Sequence, residues 1–302
     1  MDKRLLASLS LPIIVIIAYS LILHVNLIRA ILGINSVFLI SFFLAYLGQI
    51  LVNSYRDSLI TELDYFTCVK ARLLGNAVSL IIPGAAGPDL SRAISYVHKN
   101  VKLDKAFTLA LYESFFDVNV GASLYLLLFW LKLSPLDLIL ILTALGNIIG
   151  WGSGLGYAYF TSGKLNKLEQ KIFNIKYIKP LSESYLVLKN VMKERIQNRK
   201  LVIFSILLTT LGYFIQSLPF YFIRNNLLFD FLINQTYLVA TLVPIPSAAI
   251  MAELALSIVL PPLYVIQVRI LELVSYSIGF IYLKDIKLEV LRNKVKEIWK
   301  TS

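Results

Sequence analysis

Apolar runs of about 20 residues, the length that crosses a bilayer core, recur along the whole chain, with short polar and mostly basic intervals between them. Six run without interruption, over residues 5–23, 36–55, 106–131, 135–160, 201–223 and 262–283. Two others break where a membrane helix should continue. Residues 66–82 end in PGAAGPDLSR, from Pro83 to Arg92, and residues 227–243 end in PIPSAAIMAE, from Pro244 to Glu253. Proline removes an amide donor and glycine loosens the backbone, so in lipid such a break survives only where it is buried in protein or lines a wet cavity. After each break there is room only for a half-helix, from about Gly84 to His98 and from about Ser247 to Leu260. The pattern predicts an all-α integral membrane protein with about six spanning helices plus two re-entrant broken-helix hairpins. Broken segments in corresponding positions of two halves point to a transporter's binding site.

The 302 residues are 58% hydrophobic with a mean hydropathy of +0.74. The longest polar interval, residues 163–200, is too short for a typical soluble domain. A single membrane domain is expected over residues 1–302, with a first half (1–160), a basic cytoplasmic loop (161–200) and a second half (201–302). The net charge of +11 does not indicate nucleic acid as a partner, because the bases cluster beside the apolar runs as the positive-inside rule requires. Cys68 is the only cysteine, so no intrachain disulfide forms, and His24 and His98 stand apart, so no zinc-type site is expected and no cofactor is implied. Lys3 and Arg4 precede a run too long for a signal-peptide core, which predicts an uncleaved first span with a cytoplasmic N-terminus.

Charge also predicts how the broken segments lie. If each enters the membrane and returns to its own side, the bases Lys3/Arg4, Lys70/Arg72, Lys99 to Lys105, Lys164 to Lys200 and Lys284 to Lys300 all fall in the cytoplasm. Arg29, Lys132 and Arg224 are left outside, and both termini are cytoplasmic. The first hairpin then enters from the cytoplasm and the second from outside, an inverted repeat. Gly146, Gly150 and Gly154 form a ridge whose expected role is close helix packing. Between Leu165 and Met192, helical apolar spacing with intervening lysines predicts one or two helices on the inner leaflet, with a solvated hairpin as the alternative.

Ionisable groups inside a membrane are costly and face protein or water. Here they are Asp89, Arg92, Glu113, Asp117, Glu253, Arg269 and Glu272. Asp89 and Arg92 share one face of the first half-helix, and Glu113 and Asp117 share one face of the following span. They can pair to pin each hairpin, as Arg92 with Glu113 or Asp117 and Arg269 with Glu253, or they can contact substrate; the two roles are compatible. Half-helix N-termini near Gly84 and Ser247 would direct free amides toward an anion such as phosphate. Guanidinium groups suit the same ligand.

At these residues the chain resembles the flippase-like family built on the transmembrane region of lysylphosphatidylglycerol synthases, including archaeal relatives fused to dolichol-phosphate glycosyltransferases. Pro83, Gly84, Gly87, Asp89 and Arg92 match its first motif, with aspartate for the usual glutamate. Glu113 and Asp117 match its paired acids, Pro244, Pro246 and Glu253 its later Pro-x-Pro motif, and Arg269 the arginine that follows. Pro88 stands where a second glycine is usual, and Ser247, Ala248 and Ile250 replace a glycine-rich run, so a stiffer second break is expected. The resemblance implies a translocator of a lipid with a phosphate-bearing, anionic headgroup, such as a phospholipid or polyprenyl-phosphate glycolipid. It further implies a glycosyltransferase or aminoacyltransferase encoded separately. No catalytic constellation is recognised: residues 24–34 hold no acid for a metal, and no histidine lies near the acids to act as nucleophile. A scaffold subunit for a lipid-linked glycosyltransferase and a lipid-modifying membrane enzyme are the alternative readings.

Overall fold

The computed structural model describes residues 3–82, 86–175, 178–243 and 248–285. Pro83, Gly84, Pro244, Pro246 and Ser247, and most of the basic tail, lie outside the described residues. Every regular element among those described is helical: α1 (Lys3–Ile22), α2 (Leu27–Leu32), α3 (Ser36–Thr61), α4 (Tyr65–Ser79), α5 (Ala86–Val97), α6 (Leu103–Leu128) and α7 (Asp137–Thr161). Then come α8 (Lys167–Phe173), α9 (Ser182–Gln197), α10 (Arg199–Ser217), α11 (Tyr221–Arg224), α12 (Leu227–Thr241), α13 (Met251–Val259) and α14 (Pro262–Ser277), which a 3-10 segment extends from Ile278 to Asp285. Five stretches are long and apolar enough to cross a membrane: Ser36–Thr61, Leu103–Leu131, Asp137–Thr161, Arg199–Arg224 and Pro262–Leu283. The first of the six predicted spans falls on α1, whose apolar part, Ser10–Ile22, is shorter, as is Leu227–Thr241.

The distribution of side chains is that of a protein solvated by lipid. α3 exposes Val37, Ile40, Leu44, Leu47 and Leu51 while burying Gln49, Asn53, Ser54, Arg56 and Asp57. α10 does the same, with Ile203, Phe204, Leu207 and Leu211 outward and Ser205, Thr209, Tyr213 and Ser217 inward. Apolar faces turned out and polar faces turned in are stable only where the surroundings are hydrocarbon. The two polar faces meet, because Gly212 has no side chain: a Cβ there would lie 2.6 Å from Asn53 Oδ1. The largest apolar core joins α6, α7, α12, α13 and α14, and a second lies between α6, α7 and α9 around Leu109, Phe116, Leu155 and Met192.

Both interruptions are real ends of helices. α4 stops at Ser79 and α5 starts at Ala86, α5 folding back along α4 with Gly75 against Pro88. α12 stops at Thr241, and the next helix starts at Met251, four residues beyond the Ser247 start that the sequence suggested. Its entry is strained: Ala248 has φ +49° and Ile250 has φ +72° with ψ −54°. A β-branched residue in that conformation is disfavoured by its Cβ, and glycine is not. Ile250 is 50% exposed, so little packing is lost on truncation. Ile250→Gly is therefore expected to stabilise the fold by about 1 kcal/mol, the released strain exceeding the entropy cost of glycine. Thermal unfolding in detergent reads this, and an unchanged or lowered midpoint would show that the turn carries no load.

The glycine ridge of α7 does not make the close helix packing expected of it. A Cβ at Gly146, Gly150 or Gly154 would meet nothing within 4 Å, because α9 stands off and leaves a groove of about 470 Å³ against Leu188 and Met192. The basic interval forms two helices, α8 and α9. α8 leaves Leu168 and Ile172 exposed, as an interfacial helix would, and α9 instead buries Val191 and Met192 against the membrane helices. Lys189 of α9 is fully buried, 3.0 Å from Glu169.

Candidate functional site

The i, i+3 and i, i+4 spacings of the charged residues place them on inward faces of neighbouring helices. Five elements, α3, α4, α5, α6 and α10, converge on one ion-pair network. Arg92 Nη2 donates to Asp89 Oδ1 (2.7 Å) and to Ser114 Oγ (2.6 Å), and the Ser114 hydroxyl donates onward to Asp89. Arg92 Nη1 lies 3.3 Å from both Glu113 Oε2 and Asp117 Oδ2. Tyr96 holds Glu113 from the other side, its hydroxyl 2.8 and 2.9 Å from the two carboxylate oxygens.

Asp117 is the hub. Besides Arg92 it receives Arg56 Nη1 at 2.8 Å and Arg72 Nη2 at 3.2 Å, so three guanidiniums surround one carboxylate. Arg56 also donates to Asp57 (2.7 Å) and Thr209 (2.6 Å), and Arg72 Nε donates to Asp57 Oδ2 (2.5 Å). Asp117 is the most open member, with its side chain 22% exposed against 8% or less for the others. The network holds three arginines and four carboxylates. At this depth a lone ion would be very costly, and the reciprocal pairing makes the burial tolerable.

A smaller network sits in the second half. Arg269, fully buried on α14, donates from Nε to Glu253 Oε1 of α13 at 2.7 Å and from Nη1 to Glu272, while the Tyr237 hydroxyl of α12 donates to Glu272. The Arg269 guanidinium also lies over the Tyr237 ring, 5.9 Å from its centroid. Two carboxylates here face one guanidinium.

Between the networks lies a chamber of about 180 Å³. Arg72, Asn76, Arg92 and Asp117 form one wall, and Tyr237, Thr241, Glu272 and Tyr276 the other. Gln49, Gln216 and Tyr213 add polar groups to its lining. Of the residues singled out from sequence, Arg92, Asp117 and Glu272 border this chamber, while Asp89, Glu113, Glu253 and Arg269 stand behind them as partners. Gly87 is buried at the start of α5, where a Cβ would meet Ile82 at 2.8 Å.

Sequence reasoning missed Arg56 and Asp57, because the span was ended at Tyr55; α3 runs on to Thr61 and carries both inward. Arg72, expected from the sequence beside Lys70 among the cytoplasmic charges, is instead buried in the network, while Lys70 is exposed. The available signal was the apolar sequence after each residue, Leu59 and Ile60 in one case and Leu73 and Leu74 in the other.

A multi-pass helical membrane protein with two arginine–carboxylate networks facing one chamber is the class that fold and site define. The chain belongs to the family described as lysylphosphatidylglycerol synthase TM region, which matches residues 5–267 and so includes both broken segments but ends short of Arg269 and Glu272. No curated protein and no solved structure matches the chain.

Proposed function

We propose that the protein is a lipid translocator: a phosphate-bearing headgroup crosses through the chamber between the two networks while the tails stay in lipid. The observation that carries this reading is the chamber itself, a space bordered by charged and polar side chains of both networks between helices whose outer faces are apolar. Its lining suits a headgroup better than a simple ion. Arg72 and Arg92 offer forked donors for a phosphate, and Asp117, Glu272 and the amides accept from hydroxyl or amine groups beside it. Because the arginines already hold carboxylates, phosphate enters by exchange of partners, and an amine or hydroxyl group of the headgroup beside the phosphate supplies the displaced carboxylate with a new donor.

In this reading the two broken segments are re-entrant hairpins related by an inverted repeat, and both termini are cytoplasmic. The chain moves the lipid without making or breaking covalent bonds, and a separate glycosyltransferase or aminoacyltransferase makes it. The test uses the purified chain in liposomes with two fluorescent lipids of similar size, one with a phosphate headgroup and one uncharged. The phosphate lipid is expected to change leaflet and the uncharged one to stay. Arg92→Lys, which keeps the charge but loses the fork, is expected to slow the phosphate lipid by about tenfold, the equivalent of about one charge-assisted hydrogen bond. Equal movement of both lipids, or of parent and variant, would refute phosphate recognition by this arginine.

A further inference from the structure

A second space, of about 200 Å³, opens beside the chamber between the N-terminal end of α4, the C-terminal end of α5 and the segment from Ile278 to Asp285. Its chemistry differs from that of the chamber. Three basic side chains border it, Lys70, His98 and Lys99, against one carboxylate, Asp64. Lys99 lies 3.4 Å from Asp64, but both side chains are more than half exposed, so that pair is weak and easily exchanged. Among the described residues Lys70 has no carboxylate partner, and its ammonium rests 5.8 Å from the centre of the Tyr282 ring. Asp64 caps α4 by accepting from the Thr67 amide, so the attraction comes from the side chains and not from free helix amides.

Beside the two lysines Phe66 is 72% exposed. A cationic pocket with an exposed aromatic at its rim, on a membrane protein, fits an anionic headgroup whose tails remain in the bilayer. Its position gives it a use. Two of the elements that frame it also frame the chamber: α4 turns Lys70 and Leu74 to the pocket and Asn76 and Ser79 to the chamber, and α5, with His98 just past its end, turns Ser95 to the pocket and Pro88 and Arg92 to the chamber; the third segment continues α14, whose Tyr276 borders the chamber. From Lys70 to Asn76 the helical rise is on the order of 10 Å. Between Tyr276 and Tyr282, Gly279 packs onto the Leu73 carbonyl so closely that a Cβ would overlap it.

We propose that this pocket binds the phosphate of an anionic membrane lipid and is the capture site from which headgroups reach the chamber. The delivery step rests on the translocation reading, whereas the binding step does not, so the test measures binding. Tyr282→Trp places a fluorophore at the pocket of the full chain in vesicles, and lipids brominated in their tails serve as quenchers. Brominated phosphatidylglycerol is expected to quench the added signal far more than brominated phosphatidylcholine. Adding Lys70→Gln and Lys99→Gln should weaken that preference roughly thirtyfold, about 2 kcal/mol at tenfold per 1.4 kcal/mol, on the order of what two lysines supply at an anionic surface.

The same two substitutions in the translocation assay should raise the lipid fraction needed for half-maximal rate and leave the maximal rate unchanged. Equal quenching by the two lipids in the parent would overturn the proposal. So would a preference that survives loss of both lysines, or one that inorganic phosphate abolishes at concentrations too low to screen charge, which would mark a site for free phosphate. If the preference is found and depends on the lysines while no lipid changes leaflet, the pocket stands and the translocation reading falls.

Discussion

Arg56→Met is expected to destabilise the protein by about 3 to 5 kcal/mol, the typical effect of removing one partner from a buried ion pair. Arg56 is fully buried and holds Asp57, Asp117 and Thr209 at 2.6 to 2.8 Å. It does not border the chamber, so its role is to pin α3, α6 and α10 together. Without it, four carboxylates share two guanidiniums, and the excess negative charge has no solvent to relax into. Adding Asp57→Asn removes one of those carboxylates and restores the original imbalance of a single acid. The double variant should therefore unfold at a higher temperature than Arg56→Met alone, a coupling that a double-mutant cycle in detergent would measure. Independent, additive effects would show that Arg56 and Asp57 do not stabilise each other, against the account of a coupled network. Arg92 borders the chamber, and its replacement by lysine is expected to act on lipid movement more than on folding.

The membrane class, the helical architecture and the places where α4 and α12 stop were legible in the sequence because each depends on a local signal. Apolar length sets the span, and proline with glycine sets the break. The intramembrane charges were legible for the same reason, being rare residues in apolar surroundings. What could not be read was where a polar residue near the end of a run would point. Arg56 and Asp57 looked like the edge of a span, and Arg72 looked like one of the bases that fix orientation. Burial of all three follows from α3 extending one and a half turns further and from α5 folding back over α4, and these are tertiary facts. The glycines of α7 misled in the opposite direction, since small residues permit close packing but do not supply the partner. The strained start of α13 was partly legible: Ala248 and Ile250 stand where the resembled family has glycine, and both adopt positive φ.

The central claim is that the headgroup passes between the two networks, and filling that space is the most direct way to test it. Thr241 borders the chamber from the end of α12, and its hydroxyl is occupied by the carbonyl of Leu238 in its own helix, so it holds no part of either network. In Thr241→Trp an indole would occupy much of the 180 Å³ and leave every ion pair in place. Among the described residues this chamber is the space that both networks border, so translocation of the phosphate-bearing lipid in liposomes is expected to fall by about a hundredfold, toward the rate of protein-free vesicles, where the headgroup must cross hydrocarbon. Thr241→Ser, which adds no bulk, should translocate as the parent does, and both variants should unfold near the parent's temperature. A folded Thr241→Trp protein that moves the lipid at the parental rate would contradict the claim and place the path elsewhere.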